Sequence, residues 1–256
     1  MSADSDMTDF SEALVRRMNE AARDLSSPVV RPKDAATLIL VDRSGSRPKV
    51  LLGRRHANHK FMPGKFVFPG GRVEAVDRKM ASATHLDPQV EDRLMRAVVR
   101  PNARRARALV LAAIRETFEE TGLLLGLPKS ALPADAATTS GAWATFARQG
   151  ARPDLANIHF VARAITPPGR PRRFDARFFT ADATTVTHRI EGVVGPETEL
   201  VELVWVPIDE AKRLDMPAIT GVALDELGRR VAAGLSRDLP VPFYRMRHRR
   251  FSRILL

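Results

Sequence analysis

Three glutamates, Glu116, Glu119 and Glu120, stand at i, i+3 and i+4 in the segment Arg115-Glu-Thr-Phe-Glu-Glu-Thr-Gly-Leu123. On a helix this spacing turns all three carboxylates to one face, within reach of a common ion. Without an ion the arrangement is unfavourable. Like charges at this spacing each cost about 0.2–0.5 kcal/mol on an exposed helix, and burial raises the cost. A divalent cation reverses the sign. Mg2+ takes oxygen ligands, keeps several waters and commonly adds substrate phosphates to a few carboxylates, and Mn2+ suits the same oxygen donors. Such ions neutralise a diphosphate, position it and lower the pKa of attacking water. Arg115, directly before the trio, is placed to hold a glutamate by a charge-assisted hydrogen bond. The pair Glu119-Glu120 alone would read as a solvated helix face. The third carboxylate, the arginine and an upstream Phe68-Pro-Gly-Gly71 turn carry the reading further.

The elements that must position these groups can be read from periodicity. A helix is expected from about Ala103 to Thr121, with Leu109, Ala113 and Ile114 as apolar surface and Gly122 in the terminating position. Asp87-Pro88 starts an earlier helix running to about Val99, and Arg100-Pro101-Asn102 interrupts the two. Upstream, Ala35–Val41 and Lys49–Arg54 read as strands joined by a turn-rich Asp42–Pro48, an antiparallel hairpin. Phe66–Phe68 is a short strand ended by Pro69-Gly70-Gly71, whose glycines permit close backbone approach and make a phosphate-side loop. Downstream, a helix is expected around Gly141–Gln149, a second hairpin over His159–Ile165 and Arg173–Ala181, a strand over Glu199–Val206, and helices over Asp209–Leu214 and Ile219–Ala233. Asp9–Leu25 has the pattern of an amphipathic N-terminal helix.

Composition bounds the chemistry. With 256 residues and 44% hydrophobic content the chain builds one elaborated domain. No cysteine is present, so a metal must sit on carboxylate or histidine. No basic region followed by an apolar stretch opens the sequence, and no run approaches the roughly 18 apolar residues of a membrane span. A cytoplasmic protein with no membrane partner is expected. The net charge of +11 suits either a polyanion surface or a field attracting a phosphate-rich small molecule. Much of the excess lies in Arg93–Arg107 and Tyr244–Arg253, where a solvated helix face and a basic terminus are the plainer reading. Trp205 is expected to pack in the core, and His159 and His188 to be structural or exposed.

Arg115–Leu123 together with Gly71 resembles the signature of the Nudix hydrolase superfamily: Gly, five residues, Glu, seven residues, then Arg-Glu-U-x-Glu-Glu-x-Gly-U, with U a bulky aliphatic residue. Gly71, Arg115, Glu116, Glu119, Glu120, Gly122 and Leu123 match. Asp77 stands where the first glutamate belongs, a carboxylate of shorter reach, and Thr117 takes an aliphatic position. Residues 78–114, thirty-seven of them, fill the gap of seven, so the resemblance implies an insertion at about 78–108. It also implies a mixed-sheet α/β/α sandwich, an α/β (α+β) fold, with the N-terminal helix and the helical insertion added. Implied metal ligands for Mg2+ or Mn2+ are Glu116, Glu119, Glu120 and Asp77, with Glu116 and Arg115 catalytic. The general base is Glu116 or a later acid among Glu191, Glu197, Glu199 and Glu202.

Leu51–Gly71 is similar to the additional motif of coenzyme A diphosphatases, matching at Arg55, Gly64 and Phe68–Gly71 and departing at Gly53, His56 and Lys60. Ile165-Thr-Pro-Pro with Arg173-Phe-Asp-Ala-Arg-Phe-Phe179 is similar to the peroxisomal-type branch, which also carries an insertion inside the signature. That branch implies cleavage of coenzyme A or acyl-CoA to 3′,5′-ADP and (acyl-)4′-phosphopantetheine, with Arg55, Lys60, Lys65, Gly70 and Gly71 as substrate-binding residues. The alternatives are ADP-ribose, NADH or dinucleoside polyphosphates as substrate, or a basic nucleic-acid-binding or regulatory module. Intact carboxylates and only 6% aromatics disfavour the nucleic-acid reading. The expected organisation is an N-terminal extension over 1–34, a hydrolase domain over 35–238 and a basic tail over 239–256. The insertion is a lid, a spacer or a contact in a homodimer.

Overall fold

The apolar run expected as a buried strand lies within β1 (Lys33–Asp42), in a computed structural model that describes residues 15, 16, 19, 30–128, 141–248 and 250–256. Its side chains alternate between two cores. Ala36, Leu38 and Leu40 enter one, Ile39 and Val41 the other, as the two-residue period of a strand requires. Hydrogen-bonding partners take both its edges. β2 (Lys49–Arg55) runs antiparallel, Val41 opposite Val50, and β8 (Phe174–Asp182) runs parallel along Lys33–Val41.

The sheet extends from this centre. β7 (His159–Ile165) pairs antiparallel with β8, and β10 (Leu200–Pro207) antiparallel with β2. β11 (Pro242–Arg247) runs parallel to β7 and antiparallel to β12 (Arg250–Leu255). The order is β10-β2-β1-β8-β7-β11-β12, with β3 (Phe66–Val67) on β2 and β4 (Gly70–Arg72) on β1. A three-stranded sheet beside it has the order β6-β5-β9, from β5 (Leu123–Pro128), β6 (Ala151–Pro153) and β9 (Val186–Arg189).

Helices cover both faces. α1 (Pro88–Met95), α2 (Ala103–Thr121) and α3 (Ala142–Arg148) contribute to the core on one side of β1. α4 (Ile208–Ala211) and α5 (Ala218–Ala232) contribute Ala211, Val222, Ala223, Leu224 and Leu227 to the core on the other. This is the expected α/β/α sandwich with a mixed sheet. α2 has the expected bounds. The Asn102 side chain accepts from Arg105 N, satisfying a donor of the first turn, and Gly122 closes the helix at φ 74° while its N–H donates to Phe118 O. Leu109–Ile114 is buried all round, because the helix lies between the sheet and other elements. α1 starts as expected, with Asp87 capping Gln89 and Val90, but ends at Met95, short of Val99. Left-handed Ala97 and Arg100 turn the chain there, and Arg163 collects the Arg96 and Ala97 carbonyls.

Several expectations need correction. Residues 239–256 are not a basic tail. β11 and β12 form a hairpin on the main sheet, with Phe243 and Tyr244 buried and Arg253 paired to Glu226. Pro69-Gly70-Gly71 does not leave the sheet, since Gly70 and Gly71 pair with Thr37 and Ala36. Trp205, on edge strand β10, is 41% exposed rather than in the core. Of the arginines of 93–107, Arg96, Arg100 and Arg104 are exposed, as a solvated face requires, whereas Arg93 donates to the Arg237 carbonyl and Arg105 pairs with Asp34. The N-terminal helix expected over Asp9–Leu25 lies almost wholly outside the described residues. Among those residues no helix is long and apolar enough to cross a membrane.

A chain ending at Asp238 loses the buried Phe243 and Tyr244 side chains, each of which contributes about 1.5–3 kcal/mol. At roughly 2–4 °C per kcal/mol for a chain of this size, thermal unfolding should come about 10 °C or more lower. A dispensable tail would leave the midpoint unchanged.

Candidate active site

The carboxylate face of α2 packs against β4, and two glycines set how close the approach is. Gly70 N lies 3.4 Å from Glu120 Oε2. A Cβ on Gly71 would stand 2.4 Å from the Glu116 carboxyl carbon, and one on Gly70 would meet the Ala36 carbonyl oxygen at 2.6 Å and Thr37 Cα at 2.7 Å. Glycine is required at 70 for β4 to lie on β1, while at 71 it leaves room for the end of the Glu116 side chain against the strand. Glu116 and Glu120 thus flank the Gly70-Gly71 backbone, as the sequence pattern anticipates.

Arg115 is the hub of the acidic cluster. Only 3% exposed, it donates from Nη1 to Glu119 Oε2 at 2.6 Å and lies 2.9 Å from Glu116 Oε1. Its Nη2 donates to the Arg72 carbonyl at 2.9 Å. Toward the interior it meets Asp77, Nε to Oδ1 at 2.8 Å and Nη2 to Oδ2 at 3.2 Å. Asp77 is fully buried and also accepts from Glu74 N at 2.8 Å and from the Trp143 indole at 3.1 Å. Four donors occupy its two oxygens, so the metal-ligand role expected for Asp77 does not fit: the shorter side chain stays inside and anchors Arg115. Glu119, 41% exposed at its side chain, leans on Arg115 at the edge of the group. Trp143 was not foreseen as part of this cluster, because it comes from α3, outside the signature.

Electrostatics follow from this packing. Burial pushes the Glu116 carboxyl up to about 7, with Arg115 opposing and Glu119 and Asp77 adding to the rise. Burial also drives Glu120 well above the usual carboxylate range, aided by Glu199 and Glu116 and opposed by Arg55 and the Gly70 N–H. For Arg115 burial works against the charge, but the Asp77 hydrogen bond and the charges of Glu116, Asp77 and Glu119 outweigh it, so its pKa is raised. Glu116 and Glu120 therefore form a desolvated acidic pair with too little positive charge nearby. Among the described residues no three His, Cys, Asp or Glu side chains lie together as a complete metal cage. Two oxygen-donor carboxylates whose charge is unmatched still fit a hard divalent ion, which takes its remaining positions from water and phosphate.

The basic residues divide. Arg55 ends β2, pairs with Glu199 and acts on Glu120, so it belongs to the site. Lys65 pairs with Asp215 instead. Lys60 is exposed on the loop between β2 and β3. Of the four later acids, Glu202 pairs with Arg54 and Glu191 with Arg189, while Glu199 is the one whose charge bears on Glu120. His59 Nε2 lies 3.6 Å from Glu199. His159 is not near this face. It lines a cavity of about 740 Å³ with Arg43, Asp154 and Asp182, which contains none of the expected site residues. Burial and then the positive charges of Arg237, Arg230 and Arg43 push it down to about 4.

No protein-family model matches the chain. Among solved structures, a NUDIX hydrolase from Alicyclobacillus acidocaldarius is similar over 77% of this chain and 91% of its own, at 25% identity and a TM-score of 0.58. The chain has the Nudix hydrolase fold. More distant likenesses are the NUDIX domain of Shewanella oneidensis NrtR complexed with ADP ribose (12% identity, 79% of this chain and 90% of that one, TM-score 0.45) and the M. smegmatis Nudix hydrolase RenU (19%, 80% and 88%, 0.41). With the Arg115–Leu123 segment on a Nudix framework, the chain is a hydrolase acting on pyrophosphate bonds.

The two glycines separate packing from site geometry. Gly70→Ala places a methyl against β1 backbone and should lower the thermal midpoint by several degrees. Gly71→Ala meets only the end of the Glu116 side chain, so its midpoint should stay near wild type while calorimetric Mg2+ affinity falls about tenfold. Equal effects of the two variants on both quantities would contradict this placement.

Proposed function

We propose that the chain is a Mg2+- or Mn2+-dependent hydrolase of the diphosphate bond in a nucleoside diphosphate derivative, with coenzyme A or an acyl-CoA as substrate. The products are 3′,5′-ADP and 4′-phosphopantetheine or its acylated form. The observation that carries the reaction is the half-buried Glu116–Glu120 pair against the Gly70-Gly71 backbone, short of positive charge. What supports the substrate is the resemblance of Leu51–Gly71, which folds as β2, loop, β3 and β4 and brings Arg55 to the same acidic pair.

Glu116 and Glu120 would hold the cation, and the chemistry it would supply is charge neutralisation of the diphosphate and a lower pKa for the attacking water. Every other part falls to the chain. Arg115, fixed by Asp77, holds Glu116 and Glu119 at the edge of the pair. Two groups are proposed to accept the water's proton: Glu116 and Glu199, the latter paired with Arg55. Arg55, Lys60 and Lys65 lie along or beside the loop that follows β2, where a phosphate-bearing nucleotide gains cationic contacts. Lys65 must leave Asp215 to take part.

Product analysis by mass spectrometry on CoA, acyl-CoA, ADP-ribose, NADH and diadenosine polyphosphates, each with Mg2+ and Mn2+, should show 3′,5′-ADP from CoA. Glu120→Gln should remove at least about 100-fold of that turnover with the fold intact by circular dichroism. Cleavage of another member of the panel but not of CoA would overturn the substrate, and unchanged turnover in Glu120→Gln would overturn the site.

A further inference from the structure

We propose that Trp143 of α3 is a positioning residue for the carboxylate face of α2, acting through Asp77 and Arg115; this rests on the cation-binding role proposed above. Trp143 is 0% exposed, and its indole N–H, a donor with no acceptor capacity, points at Asp77 Oδ1 from 3.1 Å. The same oxygen accepts from Arg115 Nε at 2.8 Å, while Oδ2 accepts from Arg115 Nη2 at 3.2 Å and Glu74 N at 2.8 Å. Arg115 meets both oxygens and sets the carboxylate plane; Trp143 and Glu74, one on each oxygen, add a second donor to each and resist its rotation. The guanidinium plane is thereby fixed, and with it Nη1, which contacts Glu119 at 2.6 Å and Glu116 at 2.9 Å.

Packing independent of Asp77 holds the indole in place. Trp143 meets Phe146 edge-on with ring centroids 5.4 Å apart, and Phe146 meets Phe118 in the same way, also at 5.4 Å. Phe118 lies on α2 between Glu116 and Glu119. α3 therefore grips the functional helix twice, by an aromatic contact at Phe118 and by a polar one through Asp77. The aspartate at position 77 is one methylene shorter than glutamate, and the indole donor meets it in the interior, where an unbonded carboxylate oxygen would be costly. The same outer partners that orient a ligand also tune its affinity for the ion, and removing one costs about 10–100-fold in metal affinity.

The chain has two tryptophans, so 15N-tryptophan labelling gives two indole resonances, separable with Trp205→Phe. The Trp143 indole proton should exchange slowly, and its resonance should shift as Mg2+ saturates the wild-type protein. Trp143→Phe keeps an aromatic ring, though a smaller one, and lacks the donor; its Mg2+ dissociation constant by calorimetry should rise about tenfold, with a thermal midpoint lowered by several degrees by the lost packing. Wild-type Mg2+ affinity in folded Trp143→Phe, or a Trp143 resonance that Mg2+ does not move, overturns the proposal; if Trp143→Phe does not fold, the wild-type resonance decides. A wild-type protein that binds no Mg2+ overturns the proposed function itself, and this inference with it.

Discussion

Where α2 passes β4, the side chains of Asp77, Glu116 and Glu119 gather around a single guanidinium, that of buried Arg115, while Glu120 lies at the Gly70 N–H. Charge in that setting is tolerated only when paired, and removing one member of a buried pair costs about 3–5 kcal/mol because the other is left uncompensated. The Arg115–Asp77 pair meets the condition internally. Glu116 only shares that guanidinium with Asp77 and Glu119, Glu120 faces the charges of Glu199 and Glu116, and the imbalance left on them is what a divalent ion and an anionic substrate would relieve together. The geometry of the functional face thus depends on an ion pair that itself touches no substrate.

The rest of the fold keeps the ends of α2 in place so that this pair can form. At its start, Arg105 grips Asp34 at the beginning of β1 with two hydrogen bonds, 2.7 and 2.8 Å, and Asp34 is shared with buried Arg177. Asp175 and Arg163 extend this network to the carbonyls that end α1. At its finish, left-handed Gly122 turns the chain directly into β5, and the Ile190 amide donates to its carbonyl. Several arginines are engaged in such internal work.

Much of this was legible in the sequence where a local rule governs. The helical pattern with a Gly terminator gave α2 its bounds, and strand-like runs found β1, β2, β7, β8 and β10. What escaped was set by tertiary context. β5, β6 and β9 are short strands in a small sheet, and β11 and β12 carry arginines that read as a solvated tail until Glu226 and the β7 edge are seen to take them up. Trp205 looked like core in an alternating strand, yet β10 is an edge. At the site, Glu116 and Glu120 came from helical spacing, and Gly70 and Gly71 from the resemblance to the Nudix and coenzyme A diphosphatase motifs. Asp77's true role depends on how deep it lies, and Trp143 belongs to a distant helix, so neither depth nor partner could be read from the pattern around 115–123.

The most direct measurement is the thermal midpoint of wild type and of the Glu116→Gln/Glu120→Gln double variant, each with and without Mg2+. If the two carboxylates repel until a cation joins them, Mg2+ raises the wild-type midpoint, since a ligand that binds only the folded state stabilises it. The metal-free double variant should melt higher than metal-free wild type and ignore Mg2+. A double variant that melts no higher and still responds to Mg2+ as wild type does would contradict an ion held by this face.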